Sequence, residues 1–207
     1  MAGDATAPRA DAPDRIASLG GWLFKRRSWL PLPLVFALLL IPGTPDTPWS
    51  VRYTGVALTL AGEALRFWGV LHIGAVSRTR SDRLGPLIQT GPFGLVRNPL
   101  YLGNAALWLG FALTAGLAWL TPVIALLLAL EYHPIVRWEE RLLAARLGQQ
   151  YHAYAARVPR WIPRSPTRLE AVPAGTSFSW SATLFSERAT LFAIVVAYVL
   201  LYLKDRA

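Results

Sequence analysis

Residues Gly91 to Gly103 read GPFGLVRNPLYLG, a loop rich in Gly and Pro that runs into an apolar stretch. Asn98 followed by Pro99 marks a helix start. Asn is a good capping acceptor, and Pro is tolerated at the first helical position because its missing N–H has no intrahelical partner. The amides of Leu100, Tyr101 and Leu102 then point out of the helix end. Such an end carries partial positive charge and free donors, which suit an anionic group, and Arg97 beside it adds a full charge. Gly91, Gly94 and Gly103 would let backbone or ligand approach closely. Further on, Glu139 and Glu140 pair two carboxylates, a chemistry that holds an ammonium. The same local patterns also suit an ordinary capped helix behind a turn, and a solvated acidic helix turn.

The composition says what kind of chain must position these groups. Hydrophobic residues make up 54% of 207 and the mean hydropathy is +0.35, too apolar for a typical soluble domain and in keeping with a polytopic membrane protein. Nine Trp and seven Tyr suit rings that sit at membrane interfaces. A net charge of +9 is spread through segments flanking the apolar runs. That distribution fits an anionic membrane surface, whereas a nucleic-acid binder would gather its charge on one face, so no nucleic acid is expected. Cysteine is absent, which excludes disulfides, thiolate catalysis and Cys-ligated metals, and no metal site is expected. Lys25, Arg26 and Arg27 precede an apolar run as in a signal peptide, but no small-residue cleavage site follows.

In chain order, residues 1–20 lack apolar periodicity and read as a disordered tail, with 21–207 forming one domain. Trp29 to Pro42 is a short first apolar run with Pro31 and Pro33 near its start. Ile41 to Ser50 reads as a loop, and Val51 to Ala75 is long enough to cross a bilayer. Within that run Glu63 and Arg66 lie three apart on one helix face, where an ion pair offsets part of the cost of membrane burial. A basic connection over residues 76–97 holds Arg78, Arg80, Arg83 and Arg97 against Asp82. Pro99 to Thr114 and Leu117 to Ile135 form an antiparallel hairpin across the short link Ala115–Gly116. From Arg137 to Val158 the apolar residues Trp138, Leu142, Leu147, Tyr151 and Tyr154 recur at helical spacing between charges, an amphipathic helix. Ala189 to Leu203 is a last apolar run that spans or docks. The fold class is therefore an all-α membrane bundle of about five spans. The segment before the first apolar run (residues 1–28), the 76–97 connection and residues 137–168 hold 5, 4 and 7 of the 21 Lys and Arg residues, so their common side is expected to be cytoplasmic.

Two separated motifs in this order resemble those of the isoprenylcysteine carboxyl methyltransferase and phospholipid methyltransferase group of integral membrane enzymes. Leu87, Ile88, Gly91 and Phe93 match its leader, and Arg97, Asn98, Pro99, Tyr101 and Gly103 match its R-H-P-x-Y-x-G turn. Glu139, Glu140, Leu147, Gly148, Tyr151, Tyr154, Val158 and Pro159 match its later block. The resemblance covers residues 76–163. It implies S-adenosylmethionine as cofactor, held at the cytosolic helix ends by Leu87, Ile88, Phe93, Arg97, Asn98, Pro99, Leu100, Tyr101, Gly103, Glu139 and Glu140. Leu87, Ile88 and Phe93 would line the pocket, residues 98–101 would form the turn that holds the cofactor, and Glu139 would contact its methionyl end. Asn98 stands where the family has His, which removes an acid or base there. Ile135 stands where the isoprenylcysteine enzymes hold a substrate carboxylate with Arg.

Methyl transfer from a sulfonium requires alignment and exclusion of water rather than a metal. A carboxylate acceptor needs no base, whereas an amine must first lose a proton. His72, His133, Glu63 and Glu131 are candidate bases. The acceptor is expected to be lipidic, with Glu63, Arg66, His133 and Arg137 near its head group. The alternatives are an NADPH-dependent enzyme of the membrane sterol reductase type and a non-catalytic relative that binds lipid or a partner.

Overall fold

The computed structural model describes residues 15–73, 87–163 and 178–206, and Arg78, Arg80, Asp82 and Arg83 lie outside them. Among the described residues there are seven α-helices: α1 (Arg15–Arg26), α2 (Leu32–Leu40), α3 (Trp49–Ile73), α4 (Pro99–Thr114), α5 (Thr121–Leu147), α6 (Gln149–Arg157) and α7 (Trp180–Arg206). Helices α3, α7 and the stretch Ala118–Leu147 are long and apolar enough to cross a membrane. The other two apolar runs make shorter helices. At 1.5 Å per residue, nine-residue α2 covers about 13.5 Å, under half of a hydrocarbon core, and sixteen-residue α4 covers about 24 Å.

Helix α4 is enclosed chiefly by α3, because both carry small residues where they meet. A Cβ on Gly62 would lie 2.7 Å from the Gly103 carbonyl oxygen, and one on Gly55 would lie 2.6 Å from the Gly110 carbonyl oxygen. In lipid, where apolar burial alone does not drive helices together, such close backbone approach is a main source of packing energy. Helix α7 joins α3 through polar contacts: Tyr198 donates to Thr59 Oγ1 at 2.9 Å, and Arg52 pairs with Asp205 at 3.0 Å. Leu38, Leu107, Phe111, Leu117, Ile124, Leu128 and Leu201 fill the space where α2, α4, α5 and α7 meet.

Two boundaries differ from expectation. Residues 15–20, read as part of a disordered tail, begin α1, which packs on α5 with the Phe24 ring tilted against Trp138 at 4.8 Å between rings. The apolar contact with a partner helix supplies order that the segment's own pattern does not show. The amphipathic stretch is also not one helix. Helix α5 runs on from the bundle through Pro134 to Leu147, then Gly148 takes φ +51° and ψ −125°, and α6 starts in a new direction. Only Gly adopts that backbone without strain. The α4–α5 link is likewise longer than Ala115–Gly116, because Ala118–Leu120 forms a 3₁₀ turn before α5.

Candidate functional site

The chain enters α4 through a 3₁₀ turn at Gly91–Gly94 whose four residues are all buried. Gly91 has φ +58°, and a Cβ there would meet the His72 ring at 2.5 Å, so this turn needs Gly on both conformational and steric grounds. Phe93 is buried, and its carbonyl accepts a hydrogen bond from the Tyr154 hydroxyl at 2.8 Å. Leu87 packs beside Tyr151, Tyr154 and Val158, while Ile88 is half-buried. The later motif thereby braces the earlier one.

Asn98 stands at the cap position of α4 but makes no side-chain capping bond. Its Nδ2 instead donates to the Arg160 carbonyl at 3.3 Å, and the Arg97 amide donates to the Pro159 carbonyl at 2.9 Å. These two bonds hold the chain after α6 against the start of α4. Pro99 is fully buried. The Leu102 amide, expected to point outward, donates to the Asn98 carbonyl at 3.3 Å. The amides of Leu100 and Tyr101 remain at the helix end, where no intrahelical acceptor exists.

The two glutamates have separate duties. Glu140 Oε1 lies 3.2 Å from Arg97 Nη1 and accepts from Arg160 Nε at 3.0 Å, and its Oε2 accepts from Arg160 Nη2 at 2.5 Å. This two-pronged bond raises the Arg160 pKa further above its ordinary value. Burial raises the Tyr151 phenol as well, so that side chain stays neutral beside Arg97. Glu140 is therefore a latch between α5, the α4 turn and the chain after α6, and Arg97, expected as a free positive charge, is occupied by it.

Glu139 Oε1 accepts from the Tyr101 hydroxyl at 3.0 Å. This contact brings the two separated motifs together at one end of the bundle. Arg27, just after α1, lies within electrostatic reach of the same carboxylate. A cavity of about 200 Å³ is lined by Phe24, Lys25, Arg27 and Ser28. The Tyr101 ring in turn meets Tyr132 of α5 at 4.9 Å.

Deeper along α3, Glu63 and Arg66 face each other at 3.4 Å as their spacing predicts. Arg66 also bonds Glu187 of α7 at 2.6 Å, Asn104 of α4 at 2.5 Å and Thr190 of α7 at 3.2 Å. His133 is exposed on α5 and Arg137 is half-buried, while Ile135 is fully buried. Leu100 packs its side chain toward Gly69, and Gly103 lies against Gly62 and the Arg66 stem. The structure thus uses Gly103 for helix packing. The His72 ring lies tilted against Phe178 at 4.8 Å between centroids and bonds the Trp68 carbonyl, and Glu131 is half-buried.

Sequence reasoning missed Arg160, Asn104 and Glu187. Glu187 had a usable signal, being an ionisable residue near the start of an apolar run. Asn104, three residues after Tyr101, also interrupts an otherwise apolar helix. Arg160 had none, because its partners come from a different part of the chain.

With this geometry in place, a family model described as phospholipid methyltransferase matches residues 51–150, which run from α3 into α6. Over these residues the chain is similar to that family. The matched stretch holds Arg97, Asn98, Tyr101, Glu139 and Glu140, whereas Arg160 and all of α7 lie beyond it. Among curated proteins, the chain is 37% identical to the cobalt-zinc-cadmium resistance protein CzcN of Cupriavidus metallidurans over 53% of its own length and 46% of that protein's. It is 30% identical to the nickel-cobalt-cadmium resistance protein NccN of Alcaligenes xylosoxydans xylosoxydans over 66% of its own length and 63% of that protein's. The chain therefore spans from about half to just under two-thirds of the curated relatives it matches. No solved structure matches it. Among the described residues no cluster of three or more His, Cys, Asp or Glu side chains could hold a metal ion.

Proposed function

We propose that residues 21–207 work as one S-adenosylmethionine-dependent methyltransferase that modifies a lipidic acceptor, a carboxylate or amine head group, at the cytoplasmic membrane face. The observation that carries this reading is the Tyr101–Glu139 hydrogen bond, which ties a partly buried carboxylate to a side chain of the first turn of α4. The donor set fits the cofactor. The Glu139 carboxylate suits the ammonium of its amino-acid part, and the Leu100 and Tyr101 amides suit the carboxylate. Leu87, Ile88 and Phe93 supply apolar surface for the remainder.

When bound, the cofactor supplies an electrophilic methyl group. The protein's share is to hold that group in line with a nucleophile and keep water away. The Glu140 latch serves this by tying Arg97, at the start of the 97–101 turn, to Arg160. The similarity to that family and three helices suited to crossing a membrane support a lipid acceptor that enters from the side.

Isothermal titration of the detergent-purified chain with S-adenosylmethionine and, separately, NADPH tests the reading. Binding of the first alone is expected, weakened about tenfold or more in Glu139→Ala because a charge-assisted bond is lost. Binding of NADPH alone, or an unchanged affinity in Glu139→Ala, would remove the assignment. Mass spectrometry of lipid extracts exposed to labelled cofactor then separates an enzyme from a relative that binds without transfer.

A further inference from the structure

Helix α1 carries two stripes of different character. Ala17, Gly20, Gly21 and Phe24, spaced i, i+3, i+4 and i+7, share the side that meets α5. There a Cβ on Gly20 would run into the Pro134 carbonyl, and one on Gly21 would lie 2.9 Å from the Trp138 indole nitrogen. Arg15, Leu19, Trp22 and Arg26, spaced i, i+4, i+7 and i+11, form the opposite stripe, and all four are exposed. Leu19 and Trp22 are each 49% exposed, and the Arg26 guanidinium lies over the Trp22 ring at 4.2 Å. Trp29, just beyond the helix, is exposed as well. Residues 15–28 include Arg15, Lys25, Arg26 and Arg27 and no Asp or Glu.

A chain of contacts fixes the level of α1 in the bundle. Trp49 at the start of α3 and Trp180 at the start of α7 are both exposed, and Trp180 stacks on Phe67 of α3 at 5.7 Å. At 1.5 Å per residue, Trp49 and Phe67 lie about 27 Å apart along α3, close to the thickness of a hydrocarbon core, and Trp favours its two boundaries. Leu100 packs toward Gly69, two residues past Phe67, and Tyr101 beside it reaches Tyr132 and Glu139 of α5. Pro134 and Trp138 lie between those two, so α1 rests on α5 near the Phe67 level. Its Arg15–Arg26 stripe, turned away from α5, is thereby set at head-group depth.

We infer that α1 is an interfacial docking helix, whose Leu19 and Trp22 insert among the head groups of an anionic phospholipid leaflet while Arg15, Lys25 and Arg26 hold its phosphates. An apolar strip rimmed by cations is what a helix needs to lie in that layer, with the rings in the boundary and the charges on the phosphates. The charge decides between leaflets. With several cations and no acid, the segment is drawn to a negative surface and gains nothing comparable from a neutral one. Arg27 is left out of this set, because it lies over the Phe24 ring at 4.1 Å on the side facing α5. The docked lipids contact the side of α1 away from α5 and Glu139, so they are a surface and not the methyl acceptor.

The chain has no Cys, so Leu19→Cys labelled with bimane reports on this stripe alone. The labelled full chain is placed, one copy per disc, in nanodiscs of phosphatidylcholine or of phosphatidylcholine with about one-third phosphatidylglycerol, and acrylamide, a neutral solute, quenches the label. The quenching constant should be about threefold lower in the anionic discs, and molar salt should remove the difference by screening. With Arg15→Gln, Lys25→Gln and Arg26→Gln combined, the two compositions should agree within about 1.5-fold. A label placed by Trp22→Cys should report the same, and it decides should Leu19→Cys fail to fold by size exclusion. Equal quenching in the two compositions would overturn the inference: if strong, the stripe faces water and is open to a soluble protein, and if weak, apolar contact alone covers it. A difference that persists in the triple variant would overturn it too. No cofactor enters the measurement, so a failure to bind S-adenosylmethionine would refute the proposed function and leave this result untouched.

Discussion

Replacing Glu140 by Ala removes the carboxylate that joins Arg97 to Arg160. Three contacts are lost together: one at 3.2 Å to Arg97, and the pair at 3.0 and 2.5 Å to Arg160. The Glu140 and Arg97 side chains are 13% and 15% exposed, so this half resembles a buried ion pair, whose breakage costs about 3–5 kcal/mol. Arg160 is 31% exposed, and solvent screens its share toward the smaller values of surface pairs. An overall loss of about 3 kcal/mol follows, and for a chain of this size each kcal/mol lowers the melting temperature by about 2–4 °C. A fall of about 6–12 °C is therefore expected, read from tryptophan fluorescence in detergent. A double-mutant cycle with Arg160→Ala isolates the latch and should return a coupling of about 1.5–3 kcal/mol. A melting point within 2 °C of the wild type, or strictly additive single changes, would show that these side chains do not hold the turn to the chain after α6.

Three further changes probe neighbouring parts. Tyr154→Phe deletes the buried hydroxyl that reaches the Phe93 carbonyl and leaves that carbonyl without its donor, a loss of about 1–2 kcal/mol measurable in the same melt. Gly62→Val drives a side chain into the Gly103 carbonyl, so α3 and α4 must part at a cost of about 2–3 kcal/mol, and a normal melting curve would contradict their close packing. Asn98→His places the family residue at the turn, where an imidazole N–H can still reach the Arg160 carbonyl. Cofactor affinity by calorimetry should then stay within about threefold of wild type, whereas Asn98→Ala should lose more.

Much of this architecture can be read without coordinates. Apolar runs long enough to cross a bilayer declare membrane helices, because backbone groups in lipid have few other ways to bond. The loop-to-helix junction at Asn98–Pro99 and the Glu63–Arg66 pair are local facts, governed by chain stereochemistry and helical periodicity. Asn98 illustrates the limit of such readings. Its residue type makes it a capping candidate, yet the carbonyl of Arg160, remote in sequence, claims its amide. Glu139 and Glu140 show the same limit, as neighbours with equal chemistry and different partners. One turns to Tyr101 and the other to two arginines, and only the crossing of α4, α5 and the chain after α6 decides which. Helix α1 is a similar case, since a short segment gains helical order from the surface it packs on. The amino-acid sequence thus determined the membrane class, the long apolar helices and the motif-bearing turn, each set by interactions among near neighbours. Tertiary structure alone decided which carboxylate serves as latch, which accepts from Tyr101, and which is left without a hydrogen bond beside Arg66 among the described residues. Those outcomes depend on contacts between residues distant along the chain, for which sequence spacing carries no metric.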